Sequence, residues 1–331
     1  MDMDMDAMTD NQHSKKWQCR WATPHDRDAL LALFESAFGQ PMPGGLWQWK
    51  YARQKKPGML AYIEDGIIAY YGGMPRTFSL NGKAIKAVQI CDVMVAPKMR
   101  GILTRRGPFM QTADTFLSEQ AGTDKPFRFA FGFPSDRHAR LGEKTGWYTR
   151  SGTFLETVWP AKLAQPHLSV WFKTRPLGLH DSTTVNTLWQ IMQSTLPDCL
   201  IPRKDADFFN WRYHRHPSYA YTTYVVSRRW RNKPVGIFAL RDHGPGHGME
   251  LMDLLGPPDT LPILLNTALR ITKRAGRKRL FSWVTPAVLE RLPTPETTQT
   301  ISGVYVTPDY KQKIEEQHLH WWLMGGDTDF H

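Results

Sequence analysis

The sequence predicts an α/β protein built on a mixed sheet, in two halves of similar element order. Three observations predict it. Asp65-Gly66 and Asn81-Gly82 each separate runs rich in β-branched and aromatic residues, the strongest short signal for a hairpin. Beyond them strand-like and helix-like stretches alternate, so the sheet is mixed rather than purely antiparallel. Finally, an Asp inside an apolar run is followed five residues later by a Pro in both halves, as Asp92 and Pro97 in "DVMVAP" and as Asp253 and Pro258 in "DLLGPP".

The first half opens with a short strand and a helix. Thr23 is placed as N-cap, Pro24 at the first helical position and Gly39 past the end. "GGLWQWKYAR" reads as a second helix. Four antiparallel strands follow, "MLAYIE", "IIAYYGG", "RTFSL" and "AIKAVQICDVMV". A basic, glycine-dotted loop then leads into a helix that starts at Pro108 and turns Phe109, Met110, Ala113, Phe116 and Leu117 inward. "FRFAFGF" is a strand, residues 135–144 a polar helix, and "WYTRSGTFLETVW" the last strand. Residues 160–183 are interrupted by prolines and read as a linker. Helix and strand patterns return from 184 to the end, with "LHWWLM" as a closing strand. The predicted division is therefore a disordered leader 1–17, a first domain 18–159, a linker 160–183 and a second domain 184–331 with an acidic tail.

With 331 residues, 41% of them hydrophobic, the chain can bury two ordinary cores. No apolar run approaches the roughly 20 residues that span a bilayer, so no membrane partner is expected. The start of the chain has neither a basic nor an apolar signal region. Cys19, Cys91 and Cys199 lie far apart without metal-ligand spacing, which fits a reducing, cytoplasmic setting and no metal. The net charge of +11 raises nucleic acid as a partner, but the basic residues are dispersed apart from "RRGP", "SRRWRNK" and "KRAGRKR". The last reads as the cationic end of a helix, and no nucleic-acid-binding signature accompanies it, so nucleic acid is not expected as the main partner.

The stretch from Ile90 to Met110 leaves a buried strand through three arginines, a lysine and two glycines before a helix begins. Free backbone N–H groups at a helix start favour an anion, although a solvated basic loop has the same composition. Here the first half resembles the GNAT acetyltransferase family, and its doubled layout is similar to Eis-like enzymes with two GNAT domains. The family motif Val-x-Pro-x-x-Arg-Gly-x-Gly is matched by Val95, Pro97, Arg100 and Gly101, with Leu103 at the second glycine and Gly107 a few residues later. The family's helix motif, Asn-x-x-Ala-x-x-x-Tyr-x-x-x-Gly-Phe, has Ser135, His138 and Gly142 at its Asn, Ala and Tyr positions ahead of Gly146-Trp147, so the helix and its Gly-aromatic end fit and the Tyr does not. The resemblance implies tandem GNAT-like domains, the N-terminal one carrying the CoA loop and the C-terminal one degenerate. It implies acetyl-CoA as cosubstrate, its diphosphate held by the loop amides with Arg100, Gly101, Arg105, Arg106 and Gly107, its pantetheine arm against Met94 and Val95, and Ser135 near it.

Acetyl transfer to an amine requires loss of the ammonium proton, a donor for the tetrahedral oxyanion and a proton or dipole for the departing thiolate. The resemblance implies that an N–H near Met94 serves the oxyanion. Asp92 and Glu64 are the candidate bases. Asp92 reads equally as a structural brace, because a carboxylate in an apolar strand must be paired, and Glu64 as a solvated flank of its hairpin. His138, Tyr148, Tyr70 and Tyr71 are the candidate acids, each with packing or surface exposure as the alternative. Asp327 and Asp329 read as a frayed acidic tail or, by the Eis-like resemblance, as contacts for a cationic acceptor. The reading is an N-acetyltransferase acting directly on a small-molecule or peptide amine. A homo-oligomer is compatible with it. The alternative is an inactive GNAT scaffold that binds CoA or a protein partner.

Overall fold

A computed structural model describes residues 17–52, 54–100, 107–165 and 168–329. The chain forms two compact units, one of residues up to 74 together with 90–119, the other of 75–89 together with everything from 120 onward. The predicted leader lies outside the described residues except for Trp17, whose indole N–H donates to Gln111 at 3.1 Å.

The first unit contains β1 (Gln18–Trp21), α1 (Arg27–Phe38), α2 (Gly44–Tyr51), β2 (Gly58–Ile63) and most of α3 (Pro108–Gln120), with parts of β3 (Gly66–Leu80) and β4 (Lys83–Val95). β2 pairs antiparallel with β1 and β3. α3 buries the face its periodicity predicts: Phe109, Met110, Ala113, Phe116 and Leu117 are each at most 8% exposed. Phe109 and Phe116 pack on Tyr71 of β3, with ring centroids 6.4 and 5.5 Å away.

The hairpin stretch corrects one expectation. "IIAYYGG" and "RTFSL" are a single strand, β3, which runs through Met74-Pro75. Proline is tolerated there because β3 registers with β2 as far as Gly72 and with a later strand only from Phe78, so no ladder donor is needed from residue 75 on that side.

The second unit holds the remaining elements. They are β5 (Phe129–Gly132), α4 (Asp136–Thr145), β6 (Thr149–Pro160), α5 (Leu168–Trp171), β7 (Phe172–Pro176), α6 (Ser182–Ser194), β8 (Cys199–Pro202) and α7 (Ala206–Phe209). They continue with β9 (Thr222–Arg228), β10 (Pro234–Asp242), β11 (Met249–Leu255), α8 (Leu261–Arg274), β12 (Arg279–Val284), α9 (Pro286–Leu289), β13 (Thr297–Val306), α10 (Pro308–Glu316) and β14 (His320–Trp321). Its strand order is β4-β5-β13-β6-β12-β11-β10-β9-β7, with β8 on β3 and β14 on β8. β4–β5 and β11–β12 are parallel, each joined through a helix, α3 or α8, as a crossover requires.

β13 lies between β5 and β6, and β6 in turn pairs with β12. Residues 160–183 are not bare connection: β7 within them pairs with β9 along five residues and forms the end of the sheet path. One core gathers around β10, β11 and α8; an aromatic one joins Phe78, Phe129, Phe131, Tyr310 and Trp321. Phe129 and Tyr310 stack with centroids 4.1 Å apart.

Candidate functional site

Asp92 sits near the end of β4 with φ +49, a left-handed conformation that costs an L-residue free energy but that Asp tolerates better than most. The side chain is held from α2. Lys50 Nζ lies 2.9 and 3.1 Å from the two carboxylate oxygens, and the Tyr51 hydroxyl donates to Oδ2 at 2.6 Å. The side chains of Lys50 and Asp92 are only 3% and 7% exposed, so this is a buried ion pair with a phenol attached. Burial first, then the Asp92 charge, pushes the Tyr51 phenol well above its ordinary pKa and keeps it a donor. Gly72 allows the approach: a Cβ there would stand 2.8 Å from the Cys91 carbonyl and 2.9 Å from the Tyr51 hydroxyl. A carboxylate with both oxygens engaged by a cation and a phenol braces α2 against β4. It is not an open base.

Past Asp92, Met94 is buried, and Val95 packs on Ala61, Ile68 and Ala69. A 3-10 turn, Pro97–Met99, ends the strand. Arg100 donates to the Ala37 carbonyl at the end of α1, and its Nε lies 3.4 Å from the Val95 carbonyl. Gly101, Arg105 and Arg106 lie outside the described residues. Gly107 is buried, and its carbonyl accepts from Gln111 N at 3.0 Å, so α3 begins in regular hydrogen bonding. β4 pairs with β5 at Ala87, Val88 and Gln89.

The second motif falls on α4. Ser135 stands before its first turn, with Oγ 3.5 Å from His138 Nδ1. Burial, then Arg137, lowers the pKa of His138 and favours the neutral imidazole. Tyr148, just after the helix, donates its hydroxyl to the His138 carbonyl at 2.8 Å, and burial pushes its pKa to about 12. Its ring lies where a Cβ on residue 142 would come within 2.0 Å of it. Gly142 thus makes room for a phenol supplied from the connection just before β6.

The other candidates separate cleanly. Glu64 is exposed at the β2–β3 turn. Tyr70 and Tyr71 are both buried, at 0% and 2% exposure, although alternation along a strand predicts opposite faces. The Tyr70 hydroxyl donates to the Pro57 carbonyl at 3.0 Å. Of the tryptophans, Trp47, Trp321 and Trp322 are core residues.

The sequence reading missed the partners of both strand aspartates. Trp49-Lys50-Tyr51 recurs as Trp211-Arg212-Tyr213, in a π turn over Asn210–His214, and Tyr213 donates to Asp253 Oδ2 at 2.8 Å just as Tyr51 does to Asp92. Around Asp253 the network is larger. Lys204 Nζ reaches Asp253 at 2.8 Å and Asp327 at 2.9 Å, and all three side chains have 0% exposure. Arg76 adds a contact to Asp327 at 3.3 Å and lies over the Phe208 ring. Gln89 donates to Asp329 at 3.3 Å. This corrects the expectation of a frayed tail: Asp327 closes a buried 3-10 turn, Gly325–Asp327, and accepts from Met324 N at 2.9 Å. The signal was present in the sequence, as the repeated Trp-basic-Tyr triplet.

Among the described residues no cluster of three metal-ligating side chains occurs, and no helix is long and apolar enough to cross a membrane. Residues 18–149 match the family model of the acetyltransferase (GNAT) domain. No curated protein matches the chain by sequence. Its fold is similar to a conserved protein of Enterococcus faecalis V583 described as a probable N-acyltransferase, at a TM-score of 0.68 and 10% identity, over 88% of this chain and 72% of that one. It is similar to a GCN5-related N-acetyltransferase from Kribbella flavida, at a TM-score of 0.66 and 12% identity, over 88% and 70%. It is also similar to Saccharomyces cerevisiae N-myristoyltransferase with bound myristoyl-CoA, at a TM-score of 0.54 and 12% identity, over 88% and 83%.

Proposed function

We propose that this protein is an acetyl-CoA-dependent N-acetyltransferase that moves the acetyl group directly to an amine. The observation that carries the reading is the GNAT domain match over 18–149, which includes the strand end at Val95, the turn at Pro97, Arg100 and the start of α3. The recurrence of the Trp-basic-Tyr triplet and of the strand Asp supports a tandem layout, first domain 18–159 and degenerate second domain 184–331. Three free cysteines suit a reducing cytoplasm.

In this reading Arg100, Arg105 and Arg106 give charge-assisted hydrogen bonds to the diphosphate, with the amides near Gly101 and Gly107. Met94 and Val95 meet the pantetheine arm, and an N–H near Met94 stabilises the oxyanion. The acceptor nitrogen forms the new N–C bond as the C–S bond breaks; its proton leaves to a base, and the thiolate takes a proton. His138, read from the sequence as an acid candidate and kept neutral by burial, takes the role of base in place of Asp92, which is committed to Lys50 and Tyr51. Tyr148 positions α4, with Ser135 at the helix start.

The second reading, a CoA-binding scaffold without transferase activity, is favoured by Gly142 at the family's Tyr position and by the commitment of Tyr148 to a backbone carbonyl. Calorimetric titration with acetyl-CoA, on the wild type and on the Arg100→Ala/Arg105→Ala/Arg106→Ala variant, tests the common core. The variant is expected to bind at least about a hundredfold more weakly, since hydrogen bonds to charged groups contribute about 1.5–3 kcal/mol each. Absence of binding by the wild type removes both readings. Binding without thiol release from acetyl-CoA across a panel of amines leaves the scaffold.

A further inference from the structure

Two of the basic clusters in the sequence, "SRRWRNK" and "KRAGRKR", have no part in the proposed transfer, and Arg229 of the first and Arg274 of the second both act on Arg270. The first is the β9–β10 turn, closed by Arg228 N donating to the Lys233 carbonyl at 2.8 Å, with Asn232 at φ +54. Arg228, Arg229, Arg231 and Lys233 are exposed on it. The second is the end of α8, where Lys273 and Arg274 are exposed. Arg274 and Arg229 both act on Arg270, lowering its pKa after burial has done so, which sets the two clusters within electrostatic reach of each other. On the neighbouring segment Arg277 is neutralised by Asp242, with both contacts at 2.8 Å.

Apolar side chains stand exposed at the same corner. Trp230, at the turn, is 76% exposed, Trp171 60% and Val170 56%. They are neighbours: Phe172 registers with Arg228, and Arg229 N donates to the Trp171 carbonyl at 2.8 Å, so the β7 end lies alongside the turn. An indole left in water gains nothing for folding, and three large apolar groups together on an otherwise cationic turn form a feature of its own.

We propose that this corner is a peripheral docking site for an anionic lipid surface, with Trp171 and Trp230 as interfacial anchors and the arginines and lysines as headgroup contacts. Indoles favour the headgroup level of a bilayer, where the ring is half buried and its N–H stays wet, and cations beside them are drawn to negative leaflets. Charge argues against a second copy of the chain as occupant, because two such turns face to face bring arginine against arginine. The aliphatic Val170 and the protruding turn suit a lipid surface better than a single nucleic-acid strand, which calls for a groove with stacked aromatics. The sequence reading expected no membrane partner because no segment spans a bilayer; a surface contact needs no span.

Flotation with vesicles tests this on the full chain. Phosphatidylcholine vesicles containing roughly one third phosphatidylglycerol should carry the protein at least about tenfold better than pure phosphatidylcholine, and about 0.5 M salt should release it. Trp171→Ala/Trp230→Ala should abolish flotation with thermal unfolding unchanged, since both side chains are exposed. Arg229→Glu and Arg274→Glu, which leave the indoles in place, should each weaken it about fivefold or more. Equal recovery on both vesicle types overturns the proposal, as does flotation that survives all these variants. Trp-dependent binding of oligothymidine, or Trp-dependent dimerisation in sedimentation without flotation, overturns it in favour of those occupants.

Discussion

The strand aspartates of the two halves are held by the same local device and embedded in different surroundings. Asp92 receives Lys50 and Tyr51 from one helix, and the chain then passes through a turn and residues 100–107 before α3 begins. Asp253 receives Tyr213 from the equivalent turn, but its cation, Lys204, is shared with Asp327 at the far end of the chain. There the 3-10 turn Pro258–Thr260 runs directly into α8 at Leu261. The strands differ too. β4 takes up its irregularity as a left-handed Asp92, whereas β11 bulges at Met252, between the registers of Leu251 and Asp253. Where the connection to the helix is long and basic, the brace stays local. Where the connection is short, the aspartate becomes the anchor of the C-terminal turn.

The largest effect should separate the two lysines. Lys204→Met leaves two carboxylates buried side by side and is expected to cost about 3–5 kcal/mol, whereas Lys50→Met leaves one that keeps its phenol and should cost about 2–3 kcal/mol. Urea unfolding midpoints of the two variants check it, and equal losses would mean that the network around Asp327 adds nothing to a single pair. A smaller and symmetrical effect is expected from the phenols. Tyr51→Phe and Tyr213→Phe each delete one hydrogen bond to a carboxylate and should cost about 1.5–3 kcal/mol by the same measurement. A large difference between them would show that one phenol is replaceable by a neighbour.

The smallest effect concerns a second matched pair. Asp26 takes both guanidinium nitrogens of Arg20, and Asp181 those of Arg175, in each case before the first long helix of its half. The arginine beside each carboxyl, chiefly through its hydrogen bonds, lowers the pKa to about 2. A pKa depressed on folding gives stabilisation that is present above the ordinary carboxylate value and lost as pH falls toward the folded one. Asp26→Asn and Asp181→Asn should therefore each flatten the fall in stability between about pH 4 and pH 2, and only modestly, because both arginine side chains are about half exposed and screened. Thermal melts across that range check this. A flattening confined to one variant would break the symmetry of the two halves.

Much of this was legible in the chain. Hairpin dipeptides, the Pro108 helix start and the inward face of α3 are local signals, set by φ/ψ preference and by a period of 3.6 residues. Read alongside the Asp–Pro spacing, the Trp-basic-Tyr triplet would have identified the brace. Nothing in a helix's own pattern, however, says which distant carboxylate its lysine will meet. The sequence of β7, "FKTRP", reads as linker because it is short, charged and ends in proline. Such a segment becomes a strand only when an edge such as β9 offers it partners.

The sequence by itself determined the mixed α/β class, the turns at Asp65-Gly66 and Asn81-Gly82, and the start and inward face of α3. Only the tertiary structure decided that β13 lies between β5 and β6, and that Asp327 is buried against Lys204 instead of trailing in water. It alone brought the cationic β9–β10 turn and its Trp230 beside the end of β7 and the exposed Trp171. The reason is physical. Local propensity acts over a few residues, whereas the cost of an unpaired buried charge is settled by whichever partner the fold delivers.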